Sequence, residues 1–312
     1  VANVGFAVPD HTVLVADGGL ATELEARGAV LSDPLWSARL LLDAPADIAA
    51  VHAAFFAAGA MIATAASYQA SFDGFAARGI DRAGAEALLR RSVELARATA
   101  RAADDTTRWV AASVGPYGAA RADGSEYLGR YGLSVAQLAA WHRPRLEVLA
   151  ATEADVLALE TVPDVDEAEA LVGLVREAEV PAWLSYTIDG ASTRAGQPLR
   201  DAFAVAAGVP QIVAVGVNCC APQDVLPAIA IAREVTGKPV IVYPNSGEDW
   251  DARHRRWAGP ARFSPELVPQ WVAAGARIVG GCCRVSPADI AAVAAALRRT
   301  CTQRENPSGN SR

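Results

Sequence analysis

A single lysine, Lys238, serves the whole 312-residue chain. It precedes a candidate strand rather than ending one, which counts against a lysine Schiff base of the barrel-aldolase kind. Histidine is almost as scarce, with four residues and no ligand spacing. His52 and His142 fall in helical patterns, as packed or exposed side chains. No H-E-x-x-H, G-x-S-x-G or Walker loop occurs, which removes the metalloprotease, hydrolase and P-loop signatures. Positive charge is short too. The net charge of -7 and the lack of a basic cluster argue against sequence-independent nucleic-acid binding. Although 52% of residues are hydrophobic, no run approaches the ~18 uninterrupted apolar residues of a membrane span. The opening VANVGFAVPDHTV shows no basic region followed by an apolar block, so no secretory leader is expected. Five cysteines, two adjacent pairs and one near the C-terminus, do not suit a disulfide scaffold. A reducing cytoplasm is expected, where thiols stay free for metal.

What the chain does have is alternation. Eight apolar runs read as strands: 13–16, 61–67, 109–114, 156–160, 182–187, 212–218, 240–244 and 277–281. They are continuous rather than alternating, as suits strands of a parallel sheet buried on both faces. Helical patterns lie between and after them, at 46–59, 81–103, 134–152, 164–179, 198–207, 222–235, 264–274 and 287–299. The last opens with Ser286-Pro287 as cap and first turn. Eight β/α repeats in this length predict a single-domain (β/α)8 TIM barrel over residues 1–301, with 302–312 as a polar, disordered tail. An open doubly wound sheet is the rival. It lacks support, because no G-x-G-x-x-G follows the first strand. Two long loops, 115–132 and 245–263, follow strand C-termini, where barrel active sites lie and long loops often act as lids. Surface decoration is the plainer alternative.

The chemistry concentrates in the cysteines. Cys219 lies in GVNCC, and Cys282 and Cys283 lie in IVGGCCRVSP, each just past a strand end. On one barrel rim the three can converge as a soft metal site with one position open. Gly280-Gly281 allow a tight backbone beside the adjacent pair. Buried cysteines are also ordinary small hydrophobes, and a redox-active pair is a further alternative. Cys220 points away if strand geometry persists, so it and Cys301 are read as structural or incidental. Asp17 opens DGGLATELEARG, where it could pair with an ammonium or simply cap the helix. Glu160 closes an apolar strand in LALET. Asn218, Asn245, Tyr68, Tyr117 and Tyr186 are polar residues at or just past strand ends, suited to orienting a ligand or to local hydrogen bonding.

Eight segments occur in a fixed order: DGGLATELEARG, ASYQASFDGFAARG, SVGPYG, DGSEY, LALET, GVNC, YPNSGE and VGGCCR. Together they resemble the homocysteine S-methyltransferase family, above all its short, cobalamin-independent members. The resemblance spans roughly residues 12–299, and GVNC followed by GGCC is its most specific part. It implies a zinc-dependent (β/α)8 barrel with Cys219, Cys282 and Cys283 as Zn²⁺ ligands. It also implies Asp17 and Glu160 on the homocysteine amino group, and backbone N–H groups near Gly19, Leu20 and Ala21 on its carboxylate. Tyr68 falls towards the methyl donor. Cys220 departs from the family pattern without disturbing the ligand set.

The implied activity is methyl transfer from a sulfonium, S-methylmethionine first and S-adenosylmethionine second, to L-homocysteine, giving methionine. A coordinated thiol is deprotonated, and the leaving group is a neutral thioether, so no general acid is required. The competing readings are a non-catalytic zinc or redox-thiol protein, and a related thiol or selenol methyltransferase using betaine or selenocysteine. Small molecules are the expected partners, with no nucleic acid and no membrane, and no oligomeric state is implied.

Overall fold

A computed structural model describes residues 6–9, 12–31, 35–103, 106–251 and 256–305. Eight parallel strands form one sheet: β1 Leu14–Val15, β2 Ile62–Thr64, β3 Trp109–Val114, β4 Val156–Val162, β5 Ala182–Tyr186, β6 Ile212–Asn218, β7 Val240–Tyr243 and β8 Ala276–Val279. Their order is β1-β8-β7-β6-β5-β4-β3-β2. A parallel bridge between Ala16 and Ile62 joins the two ends. This is the (β/α)8 barrel the alternation predicts, and each apolar run lands on its strand.

Of the α-helices among the described residues, eight follow the strands in turn: α1 Pro45–Ala57, α2 Arg82–Ala102, α3 Val135–Ala150, α4 Val165–Ala178, α5 Leu199–Ala204, α6 Val225–Thr236, α7 Val268–Ala274 and α8 Pro287–Glu305. Local chemistry sets their starts. Asp81 caps α2, Ser134 closes a capping box with Gln137 on α3, and Asp164 caps α4. Ser286 accepts from the Asp289 N–H at the start of α8. That helix runs to Glu305, into the expected tail. Residues 306–312 and the tip of the second long loop, 252–255, lie outside the described residues.

The apolar residues separate into two shells by the two-residue strand period. Val110, Ala112, Leu157, Leu159, Val215, Val217 and Val242 pack outward with the helices. Leu14, Ile62, Ala111, Val156, Ala158, Trp183, Ala214, Ile241 and Ile278 fill the barrel interior. Phe6 packs into that interior, its ring edge-on to Trp109 at 5.3 Å. Along each strand the interior positions change character towards the C-terminal end. Ile62 gives way to Thr64, Ala111 to Ser113, Ala158 to Glu160, Trp183 to Ser185, and Ala214 to Gly216 and Asn218. The lower barrel is therefore a dry core and the upper barrel a polar mouth.

Candidate metal and substrate site

Three thiols meet at the mouth. Cys219 follows β6 and the Cys282–Cys283 pair follows β8. Their Sγ atoms all lie within 4.8 Å of one another, with Cys219 Sγ 2.7 Å from Cys282 and 3.8 Å from Cys283. Thiolates ~2.3 Å from a shared tetrahedral ion stand about 3.8 Å apart. The Cys219–Cys283 pair has that spacing and the Cys219–Cys282 pair is closer, so the three are gathered tightly enough to hold one soft divalent metal, a set of three that would leave a fourth position open. Hydrogen bonds from Cys282 and Cys283 hold the Cys219 thiol well below its usual range. The same contacts push Cys282 and Cys283 up. The cluster thus favours gathering negative charge on Cys219 first.

Backbone geometry selects Cys219 over its neighbour. The strand conformation ends there, with Cys219 at φ 47. The Thr187 hydroxyl donates to its carbonyl at 3.0 Å. Cys220 is buried in the outer apolar shell, where burial raises its thiol further. The loop after β8 is tied down on both sides. Cys282 N–H donates to Pro244 O, and Ser246 N–H donates to Cys283 O. Asn245 Oδ1 accepts from Cys283 N–H at 3.1 Å. Gly280 and Gly281 serve by smallness rather than by an unusual turn. A Cβ at Gly280 would stand 2.8 Å from Asp17 O, and one at Gly281 would strike Val285. The left-handed residue in this loop is Arg284, at φ 64.

Two carboxyls flank the thiols. Asp17 does not cap the following helix, whose N-cap is Gly19. It accepts instead from Thr64 N–H at 2.7 Å and Thr64 Oγ1 at 3.0 Å. Burial pushes it up to about 7. Glu160 accepts from the Ser113 hydroxyl and lies against Tyr243. Burial foremost, with the Cys219 and Asp17 charges, pushes it up to about 7. Both groups are fixed by neutral donors, and an incoming cation would favour their charged forms.

The other expected residues divide. Leu20 and Ala21 open the short rim helix Leu20–Ala26, and first-turn N–H groups have no partner within a helix. Gly19 donates its N–H to Val285 O at 3.0 Å. Its lack of a side chain matters more, since a Cβ there would approach Cys282 O to 2.6 Å. Asn218 is fully buried, and its amide is spent on neighbours. Oδ1 accepts from Thr161 N–H and Ser185 Oγ, both at 2.8 Å, and Nδ2 donates to Thr161 Oγ1 at 2.7 Å. It braces the β4 and β6 ends. Tyr68 lies at the mouth against Gly115, and Cys219, Glu126 and Glu160 all raise its hydroxyl beyond the effect of burial. Tyr186 turns outward, donating to Ala202 O. Tyr117 packs against Tyr131 and Trp141.

Sequence reading missed Tyr127, whose hydroxyl is 3.7 Å from Cys219 Sγ, and its neighbour Glu126. It missed Thr64 and Ser113 as carboxyl holders. The interior two-residue register, counted from Ala111 and Ile62, is the signal that could have found the last two.

The homocysteine S-methyltransferase family profile matches residues 14–297. Homocysteine S-methyltransferase of Escherichia coli is 49% identical over 293 residues, covering 91% of this chain and 94% of that protein. Homocysteine S-methyltransferase 4 of Zea mays is 46% identical, covering 94% and 92%. The metallated form of the homocysteine methyltransferase MmuM from Escherichia coli superposes with a TM-score of 0.83 at 47% identity, over 92% of this chain and 96% of that one.

Proposed function

The chain belongs to the homocysteine S-methyltransferase family of enzymes, and from that premise we propose that it transfers the methyl group of a sulfonium to L-homocysteine on zinc. S-methylmethionine is the preferred donor and S-adenosylmethionine the second. The observation that carries this reading is the three-thiol cluster flanked by two buried carboxyls. Cys219, Cys282 and Cys283 would hold Zn²⁺, which when bound supplies the acidity that keeps a coordinated homocysteine thiol deprotonated at neutral pH.

The chain's own residues do the rest. Asp17 and Glu160 take the substrate ammonium between them, and the first-turn N–H groups of Leu20 and Ala21 receive its carboxylate. Asn218 keeps the β4 and β6 ends in register, so that Cys219 and Glu160 hold their spacing. Homocysteine sulfur gives an electron pair to the donor's methyl carbon. The carbon–sulfur bond breaks, and its pair returns to the donor sulfur, which leaves as a neutral thioether. Alignment of the two sulfurs supplies most of what the reaction needs. No helix among the described residues is long and apolar enough to cross a membrane. A reducing compartment, the cytoplasm, suits the free thiols. The 115–132 and 245–263 loops would cover the mouth during turnover.

Side-by-side assays of methionine formation from homocysteine with S-methylmethionine, S-adenosylmethionine and betaine test the reading. S-methylmethionine should give the highest kcat/KM. Zinc-loaded protein that makes no methionine from either sulfonium would refute it.

A further inference from the structure

Resting on the sulfonium-donor reading, we propose that Glu126 recognises the positive charge of the methyl donor. The loop after β3 lays a single 3-10 turn, Ser125–Tyr127, over the thiols. The 3.7 Å contact of the Tyr127 hydroxyl with Cys219 Sγ fixes where that turn sits. Next to it, Glu126 Oε2 is sealed from solvent and has no hydrogen-bond partner. Burial dominates its surroundings, and the charged neighbours that act on it, Cys219 and Asp123, are both negative. A carboxylate in that position is costly unless a cation arrives.

The cation it suits differs from the one that Asp17 and Glu160 suit. Those two already accept hydrogen bonds that fix their lone pairs for an N–H donor. A sulfonium carries a fixed charge and no N–H. It needs a counter-charge at van der Waals distance and aromatic surface beside it. Glu126 supplies the first, and Tyr68, close to Cys219, supplies the second; the Tyr127 ring beside it already has the Arg194 guanidinium 6.0 Å from its centroid. The donor charge vanishes as the methyl group leaves. The attraction is therefore strongest for bound donor and weaker in the transition state, so Glu126 acts on donor binding more than on turnover.

The test is steady-state kinetics of Glu126→Gln and Glu126→Asp in the zinc-loaded protein, with calorimetric binding of S-methylmethionine and of methionine. For Glu126→Gln, KM for S-methylmethionine should rise about 10- to 100-fold while kcat stays within a few-fold. KM for homocysteine should not move, and Glu126→Asp should recover part of the loss. S-methylmethionine binding should weaken by a similar factor, while methionine, the neutral thioether, binds wild type and variant alike. Unchanged donor KM and binding would overturn the assignment, as would a loss confined to kcat. Wild-type protein that uses no sulfonium would refute the donor reading itself and take the Glu126 assignment with it.

Discussion

Cys219 and Cys220 are adjacent and chemically identical, yet the fold gives them opposite environments. A left-handed turn at Cys219 aims its sulfur at the β8 loop and leaves Cys220 among outer-shell apolar side chains. Substitution should separate them cleanly. Cys219→Ala removes one of the three proposed ligands, so on the zinc reading the metal measured on the purified protein should fall from about one per chain in wild type towards none, and methionine formation should be lost. Cys220→Ala removes only a small buried sulfur. It should keep full zinc and near-full activity, at a stability cost of about 1 kcal/mol from the cavity. Equal zinc loss in both variants would contradict the assignment. The motif GVNC named Cys219 from sequence. The turn that makes the choice was not legible, because a non-glycine residue at φ 47 carries no compositional mark.

Strands were legible because parallel barrel strands are buried on both faces and read as unbroken apolar runs. That same property hid which residues face inward. Thr64 and Ser113 look like ordinary strand residues until the interior register of Ile62 and Ala111 is known. Tyr186 looks like a rim residue but lies in outward register. Helix α1 shows the complementary case, a polar residue that the apolar spacing absorbed. His52 is fully buried there, and neither ring nitrogen has a hydrogen-bond partner. Burial pushes it down to about 4 from an ordinary value of 6.5. In the folded protein it stays neutral, while in the unfolded chain it takes a proton below about 6.5. The unfolded state therefore binds more protons between about pH 6.5 and 4. The stability this gives is fully present above that window and is lost as pH falls through it, by about 3 kcal/mol in total. His52→Leu should flatten the acid limb of a urea-denaturation series over those pH values. An acid limb as steep in the variant as in wild type would assign the effect to other groups.

At the scale of the whole molecule, the barrel divides its work along its axis. The lower interior, closed by Phe6 against Trp109, is dry and carries packing. The mouth collects groups that are costly in isolation: three clustered thiols, of which Cys219 is held low and its two partners are pushed up, and two carboxyls that burial pushes up to about 7. These groups are drawn from β1, β4, β6 and β8, or from the loops that follow them. An ion bound by the three thiols would tie the loop after β6 to the loop after β8, across the end of β7 between them. Because the sites exist together only in the closed barrel, metal should bind the folded state far better than the unfolded one and stabilise it by mass action. At a free zinc level about 100-fold above Kd the gain is about 2.7 kcal/mol, which for a chain of this size corresponds to a rise in Tm of roughly 5 °C. Scanning calorimetry should show that rise on adding zinc to chelator-treated wild type and its reversal by chelator. Cys282→Ala should show neither response, while Cys220→Ala should show both. A wild-type Tm indifferent to zinc at saturating occupancy would mean that the three sulfurs do not hold an ion between the β6 and β8 loops as this geometry requires.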